Sequence, residues 1–262
     1  MTESAAEPNI LYELDADTHV AVITLNRPYA GNSLNDATRK ELFEAWARYD
    51  SDDNARVAVL TGAGDRFFCT GADLKEMAAK AEKVPPAGRA PMPNENVALV
   101  KPVIAAVNGA AYGGGFQMAE LADMCYAADT AMFAVPEARR GRGAPWAAPL
   151  MWGIPRRFMF EVIAVGEPLT AQRAWEMGLI NGVVPAADLM KHSLEIARQI
   201  AANAPLSVRA AKRMVQDIHV AAGLDVAKHL AAQVWKPVYE SEDAIEGPRA
   251  FREKREPAWR GR

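Results

Sequence analysis

Residues 102–117 read Pro-Val-Ile-Ala-Ala-Val-Asn-Gly-Ala-Ala-Tyr-Gly-Gly-Gly-Phe-Gln. The unbroken apolar run Val103–Val107 has the pattern of a strand buried on both faces, as in a parallel sheet. It leads through Asn108-Gly109 to three successive glycines, Gly113, Gly114 and Gly115, after which residues 116–122 carry helical spacing. Glycines let backbone N–H groups approach a ligand unobstructed. At a helix N-terminus those groups lack partners and carry partial positive charge. The spacing fits neither GxGxxG nor the P-loop lysine pattern. The turn therefore suits an anion, either a phosphate or an oxyanion that develops during reaction. Taken alone, a plain tight turn explains the glycines equally well.

The same alternation extends in both directions. Residues 10–14 and 20–25 flank an Asp15-Ala-Asp-Thr18 turn and read as a hairpin. The spacing predicts a helix over 35–49, capped by Asn35 or Asp36, and a buried strand over 57–60. A second glycine-bearing turn follows, Phe68-Cys-Thr-Gly71-Ala72-Asp73-Leu74. Short strands are expected near 124–127 and 132–135. Strands alternating with helices imply a largely parallel α/β architecture. From Arg156 onward nearly everything reads as helix: 157–165, 170–177, 188–202, 207–219 and 224–239, with Thr170 and Ser207 as capping hydroxyls. The expected organisation is an α/β core over 1–204 and a helical region over 205–262. The segment 77–96 is the expected mobile loop.

Composition narrows the function classes. The 262 residues are 50% hydrophobic and 24% charged with a net charge of −3, which gives no global attraction to nucleic acid. No apolar stretch reaches membrane-spanning length, and the start of the chain carries no secretory pattern, so a cytoplasmic protein with neither a membrane nor a nucleic-acid partner is expected. Cys69 and Cys125 form no disulfide framework and no metal-ligand spacing. From Pro248 to the end, six basic residues oppose two acids, a local +4 suited to a phosphorylated ligand or to a solvated tail.

Several segments, in order, resemble the crotonase, or enoyl-CoA hydratase/isomerase, superfamily. They are Leu25-Asn-Arg27-Pro28 with Asn35, the Phe68 to Leu74 turn, and 102–109 with the glycine run. Phe133-x-x-Pro136-Glu137, Gly166-x-x-Leu-Thr170-Ala171 with Ala174, and Gly178-Leu-Ile-Asn181 follow. Asp243-Ala-x-Glu246-Gly247 with Ala250-Phe251-x-x-Lys254-Arg255 completes the series. Each piece is weak; their order over nearly the whole chain carries the resemblance.

The resemblance implies a spiral of repeated β-β-α units and a C-terminal α-helical region that mediates a homotrimer or a dimer of trimers. It also implies an acyl-CoA thioester substrate, with no cofactor beyond the coenzyme A that arrives as part of it. The backbone N–H groups of Ala72 and Gly114 would form an oxyanion hole. Arg27, Ala30, Gly71, Asp73, Leu74 and Gly113 would surround the thioester and CoA, with Phe251 and Lys254 at the adenine and phosphate end. Hydratases of this family use two glutamates. The later one matches Glu137, whereas the earlier one falls on Gln117, whose amide transfers no proton but can orient a water. This departure points to chemistry that one acid/base can run: double-bond isomerisation, or hydration or lyase chemistry with substrate or water assistance. A non-catalytic acyl-CoA-binding protein is the rival reading, favoured by Gln117 and opposed by Glu137. Arg139, Arg140 and Arg142 are expected in a solvated turn, the alternative being contact with a substrate carboxylate. Trp146, Met151 and Trp152 are candidates for an acyl pocket or for core.

Overall fold

The computed structural model describes residues 7–80, 88–221, 239–255 and 257–258, with a few isolated positions between 222 and 238. The expected hairpin forms as antiparallel β1 (Ile10–Asp15) and β2 (Val20–Leu25). Helix α1 (Asp36–Ser51) follows, capped by Asn35, whose side chain accepts from Thr38 N. The chain then repeats one unit. β3 (Val57–Gly62), β4 (Phe67–Cys69) and α2 (Leu74–Ala79) make the first turn. β5 (Val103–Val107), β6 (Ala110–Tyr112) and α3 (Gly114–Leu121) make the second. β7 (Met124–Ala128) and β8 (Met132–Ala134), followed by α4 (Leu150–Gly153) and α5 (Arg156–Val165), make the third. Then come β9 (Leu169–Thr170), α6 (Ala171–Glu176), β10 (Gly182–Val184), α7 (Leu189–Ala201), α8 (Pro205–Ala221) and α9 (Asp243–Glu253).

Each repeat gives its first strand to a six-stranded sheet, β1-β2-β3-β5-β7-β10, and its second to a four-stranded sheet, β4-β6-β8-β9. β3, β5 and β7 pair in parallel, and so do β4, β6 and β8. The chain thus advances one strand in each sheet per repeat, which is a spiral. The apolar runs explain the inner strands, because β3 and β5 are buried along their whole length. Phe68, Phe116 and Phe133 fill the space beside the smaller sheet, with the Phe116 and Phe133 rings edge-on at 5.4 Å.

Several expectations need correction. β4 and β6 lie in segments read as turns, and β9 and β10 lie in the region predicted to be nearly all helix. Strands of two or three residues are too short to show a period. Thr170 caps α6, accepting from Arg173 N. Ser207 does not cap α8, because that helix begins two residues earlier at Pro205, where proline costs no hydrogen bond. Of the expected mobile loop, Met77 belongs to α2 and residues 88–97 form a hydrogen-bonded turn; 81–87 lie outside the described residues, as does most of the helix expected at 224–239.

The late helices dock on the core. Lys212 of α8 is buried and donates Nζ to Lys101 O at 2.7 Å and to Asp123 Oδ2 at 2.9 Å. Asp123 Oδ2 also accepts from Val103 N, so one carboxylate ties α8 to the start of β5. α9 packs so tightly on the turn after Glu137 that a Cβ on Gly247 would lie 1.8 Å from Arg140 O. Among the described residues, no helix is long and apolar enough to cross a membrane and no cluster of three or more His, Cys, Asp or Glu side chains is placed to hold a metal ion.

Candidate active site

Two backbone turns meet here. In the first, Gly71 adopts φ +84°, where a Cβ would lie 2.9 Å from both Gly114 N and Tyr112 O. Leu34 N donates to Gly71 O at 2.8 Å and Asp73 N to Leu34 O at 3.2 Å, a one-residue parallel bridge around Ala72. That pattern turns the N–H of Ala72 itself to the opposite edge. Asp73 then caps α2, accepting from Lys75 N and Glu76 N, and takes Arg27 Nη1 and Nη2 at 3.2 Å. Burial pushes the Asp73 carboxyl up, but the Glu76 N–H and the Arg27 guanidinium outweigh it and hold the group below the usual carboxylate range. Arg27 is buried and also donates to Ser33 O at 2.7 Å, so its guanidinium braces this turn. Ala30 closes a 3₁₀ turn onto Arg27 O, and Leu74, half-buried, opens α2.

The second turn is the glycine run. Gly113, at φ +53° and ψ −121°, donates to Ala134 O at 3.0 Å and accepts from Gln117 N at 3.0 Å. Gly114 is the first residue of α3, so its N–H has no acceptor within the helix. Gly115 touches β4, since a Cβ there would lie 2.0 Å from Cys69 O. The glycines therefore press the start of α3 against the Ala72 turn. Cys69 and Cys125 are buried, and burial pushes both thiols up to about 12, which leaves them inert at neutral pH.

Glu137 follows β8 through Pro136. Its carbonyl accepts from Arg140 N and Arg142 N, both at 2.9 Å, which winds the tight turn after it. Its Oε1 accepts from Trp146 Nε1 at 2.9 Å and lies 3.1 Å from where a Cβ on Gly113 would stand. Its Oε2 is buried without a hydrogen-bond partner among the described residues. Burial raises the carboxyl to about 7, although the Trp146 hydrogen bond and the Arg140 and Arg142 charges pull it down. A salt bridge from Arg139 or Arg140 would have made Glu137 structural, but Arg139 pairs with Glu167 at 2.6 Å and Arg140 lies over the Phe251 ring at 4.8 Å. The expected solvated turn fits Arg139 alone, because Arg142 is buried over the Tyr239 ring at 5.6 Å.

Trp146→Phe removes the donor that steadies the Glu137 carboxylate, leaving burial less opposed. The pH midpoint of turnover should move up from about 7 by roughly one unit. A midpoint that stays in place would show that the indole does not tune this group.

Gln117 stands one turn beyond Gly114 on the same face of α3. Its Nε2 donates to Glu95 Oε2 at 2.7 Å. Glu95 belongs to none of the motifs; its one sequence signal is its place among turn-forming residues, Pro93-Asn-Glu-Asn96. Of the two readings of Trp146, acyl pocket or core, packing against the core is what the structure shows, with its ring 6.0 Å from that of Phe116 and its Nε1 donating to Glu137. Phe251 is exposed on α9 and edges a cavity of about 330 Å³ with Tyr112, Pro136, Arg140 and Arg255. The cavity wall includes none of Ala72, Asp73 or Glu137. Lys254 sits just past the helix, exposed, at φ +53°. The terminal positive charge is partly answered locally: Arg255 pairs with Glu246 and Glu253, and Arg249 with Glu253.

A buried carboxyl raised toward neutrality, beside a helix start packed against a second glycine turn, is a group able to take and give a proton in an enzyme site. The family model described as enoyl-CoA hydratase/isomerase matches residues 15–262, and the chain belongs to that family, an enoyl-CoA hydratase-like enzyme of the crotonase superfamily. It is 41% identical over 255 residues to a carnitinyl-CoA dehydratase of Proteus mirabilis (strain HI4320), covering 93% of this chain and 95% of that one. Against the carnitinyl-CoA dehydratase of Escherichia coli (strain K12) it is 40% identical over 250 residues, covering 92% and 94%. Among solved structures, a carnitinyl-CoA dehydratase from Mycobacterium avium 104 aligns with a TM-score of 0.82 at 35% identity, over 97% of this chain and 100% of that one. An enoyl-CoA hydratase from Bacillus anthracis aligns with a TM-score of 0.73 at 35% identity, with the same coverage.

Proposed function

We propose that this enzyme adds or removes water across C2–C3 of an acyl-CoA thioester, interconverting 3-hydroxyacyl and 2-enoyl forms. The observation that carries the reading is the Glu137 carboxyl, buried against Gly113 and raised to about 7, where it can both take and give a proton. The names of the relatives support water as the leaving group. The N–H groups of Ala72 and Gly114 polarise the thioester carbonyl and hold the enolate oxygen, a role worth about 3–4 kcal/mol per donor. With the enolate so held, the C2 proton passes between substrate and Glu137 while the hydroxyl leaves or joins C3. Gln117 orients the water. Coenzyme A enters as part of the substrate, its adenine and phosphate end toward Phe251 and Lys254. Assembly through the helical region 205–262 into a trimer or dimer of trimers is supported by Leu206 and Met214, which stand exposed at helical spacing on α8.

The test is a panel of carnitinyl-, other 3-hydroxyacyl-, 2-enoyl- and 3-enoyl-CoA thioesters, with mass spectrometry of the thioester products. Gain or loss of one water is expected. A shifted double bond without any water change would give the isomerase reading instead. Binding of thioesters with no product across the whole panel would establish a non-catalytic binder.

A further inference from the structure

The sequence leaves the site one carboxylate short at Gln117; the folded chain brings another to the same place. Glu95 Oε2 is 2.7 Å from Gln117 Nε2. Its position is built rather than incidental. The turn that carries it is held at both ends: Met92 N donates to Asn96 Oδ1 at 2.7 Å, and Asn96 Nδ2 donates to Gly88 O and Ala90 O at 2.7 and 2.6 Å. Asn94, at φ +61°, fastens the turn to the end of α3 by donating to Leu121 O at 2.8 Å. Trp46 Nε1 donates to Pro91 O at 3.1 Å. Met92 is buried, and its Cε would lie 3.5 Å from a Cβ on Gly114. The turn thus lies along the face of α3 that runs from Gly114 to Gln117, with Glu95 at its tip.

We propose that Glu95 is the second proton-transferring carboxylate of this site, standing in space where the sequence places an amide. The proposal rests on the water-adding reading above. In that direction the water oxygen bonds to C3 of the 2-enoyl thioester, and the Glu95 carboxylate takes the proton it loses. The C2–C3 π pair moves into the thioester as an enolate, whose oxygen the Ala72 and Gly114 N–H groups hold. Protonated Glu137 then delivers its proton to C2. One water is consumed, and the proton gained by Glu95 returns to Glu137 through solvent. Gln117 donates to Glu95 and keeps its carbonyl oxygen as an acceptor for the water, so the pair does jointly what one glutamate would do at 117.

Glu95→Gln separates proton transfer from positioning, because its amide oxygen can still accept from Gln117 while the group no longer takes a proton. Two rates are read on each variant: water addition to a 2-enoyl-CoA, and deuterium uptake at C2 of a saturated acyl-CoA in D2O, which needs only Glu137 and the oxyanion hole. In Glu95→Gln, water addition should fall by about 10²-fold or more while C2 exchange stays within about threefold. The double variant Glu95→Gln with Gln117→Glu should recover at least about tenfold of the lost rate. Water addition within about threefold of the parent in Glu95→Gln overturns this proposal alone, as does an equal fall of both rates. A parent enzyme that exchanges at C2 but neither adds nor removes water overturns it together with the functional reading.

Discussion

Glu137→Gln should lower turnover by about 10³-fold or more while leaving acyl-CoA affinity within about threefold, since the amide fills the same space but transfers no proton. The same variant carries a second effect in stability. Burial raises the folded-state pKa from 4.5 to about 7, so the folded chain holds this proton more tightly than the unfolded chain does. The stability this contributes is complete below pH 4.5 and is lost as pH rises through about 7. A gap of this size corresponds to roughly 3 kcal/mol of strain once the carboxylate is charged. The glutamine variant escapes that strain. It should resist urea more than the parent at pH 8, by up to roughly 3 kcal/mol, and match it at about pH 4. Parallel pH dependence of the two proteins would mean that the Glu137 carboxylate is solvated after all. Turnover adds a sign of its own: in the proposed reaction ionised Glu137 takes the C2 proton during water removal, so removal should rise with pH through about 7, whereas addition should fall.

The parts of this site differ in how far the sequence reveals them. β5 was readable because five consecutive buried residues leave no polar face to hide. Asn35 was readable as a cap because its side chain closes on Thr38, three residues away. Those signals are local. β4, β6 and β9 owe their existence to neighbours in the second sheet and are too short to carry a period of their own. Glu137 is legible through motif order, but its raised pKa comes from burial, which the folded chain alone creates and which an indole nine residues further on partly offsets. Arg142 reads as solvated in the sequence because its cover, the Tyr239 ring, comes from nearly a hundred residues later in the chain. Glu95 escaped altogether. Its contact with Gln117 spans 22 positions and exists only because two asparagines fix the turn between them.

The glycine run is where this distinction predicts most. Read as a sequence, the three glycines share one purpose, access to backbone N–H groups. In the folded chain the three stand in different surroundings, so substitution should separate them. Gly115→Ala places a Cβ 2.0 Å from Cys69 O and 2.7 Å from Cys69 C, contacts with backbone that cannot swing aside. Either α3 or β4 must move by about 1 Å, at a cost of about 3 kcal/mol or more. That motion also displaces the Ala72 turn, which begins two residues after β4. Misplacement of about 1 Å in such a donor costs about 10²-fold in kcat/KM. Gly114→Ala meets only ordinary contacts, 3.5 Å from both Gly71 Cα and Met92 Cε, at a helical position where alanine is the better former. Its stability should stay within about 1 kcal/mol of the parent. Gly113→Ala falls between them: φ +53° strains any side chain by about 1–3 kcal/mol, and the new methyl sits 3.1 Å from Glu137 Oε1. Urea unfolding of the three variants, followed by circular dichroism, ranks them directly, with failure of Gly115→Ala to fold counted as the extreme of the expected order. A Gly115→Ala protein as stable as Gly114→Ala would show that α3 does not press on β4. The Ala72 and Gly114 N–H groups proposed as oxyanion donors would then lack a rigid seat.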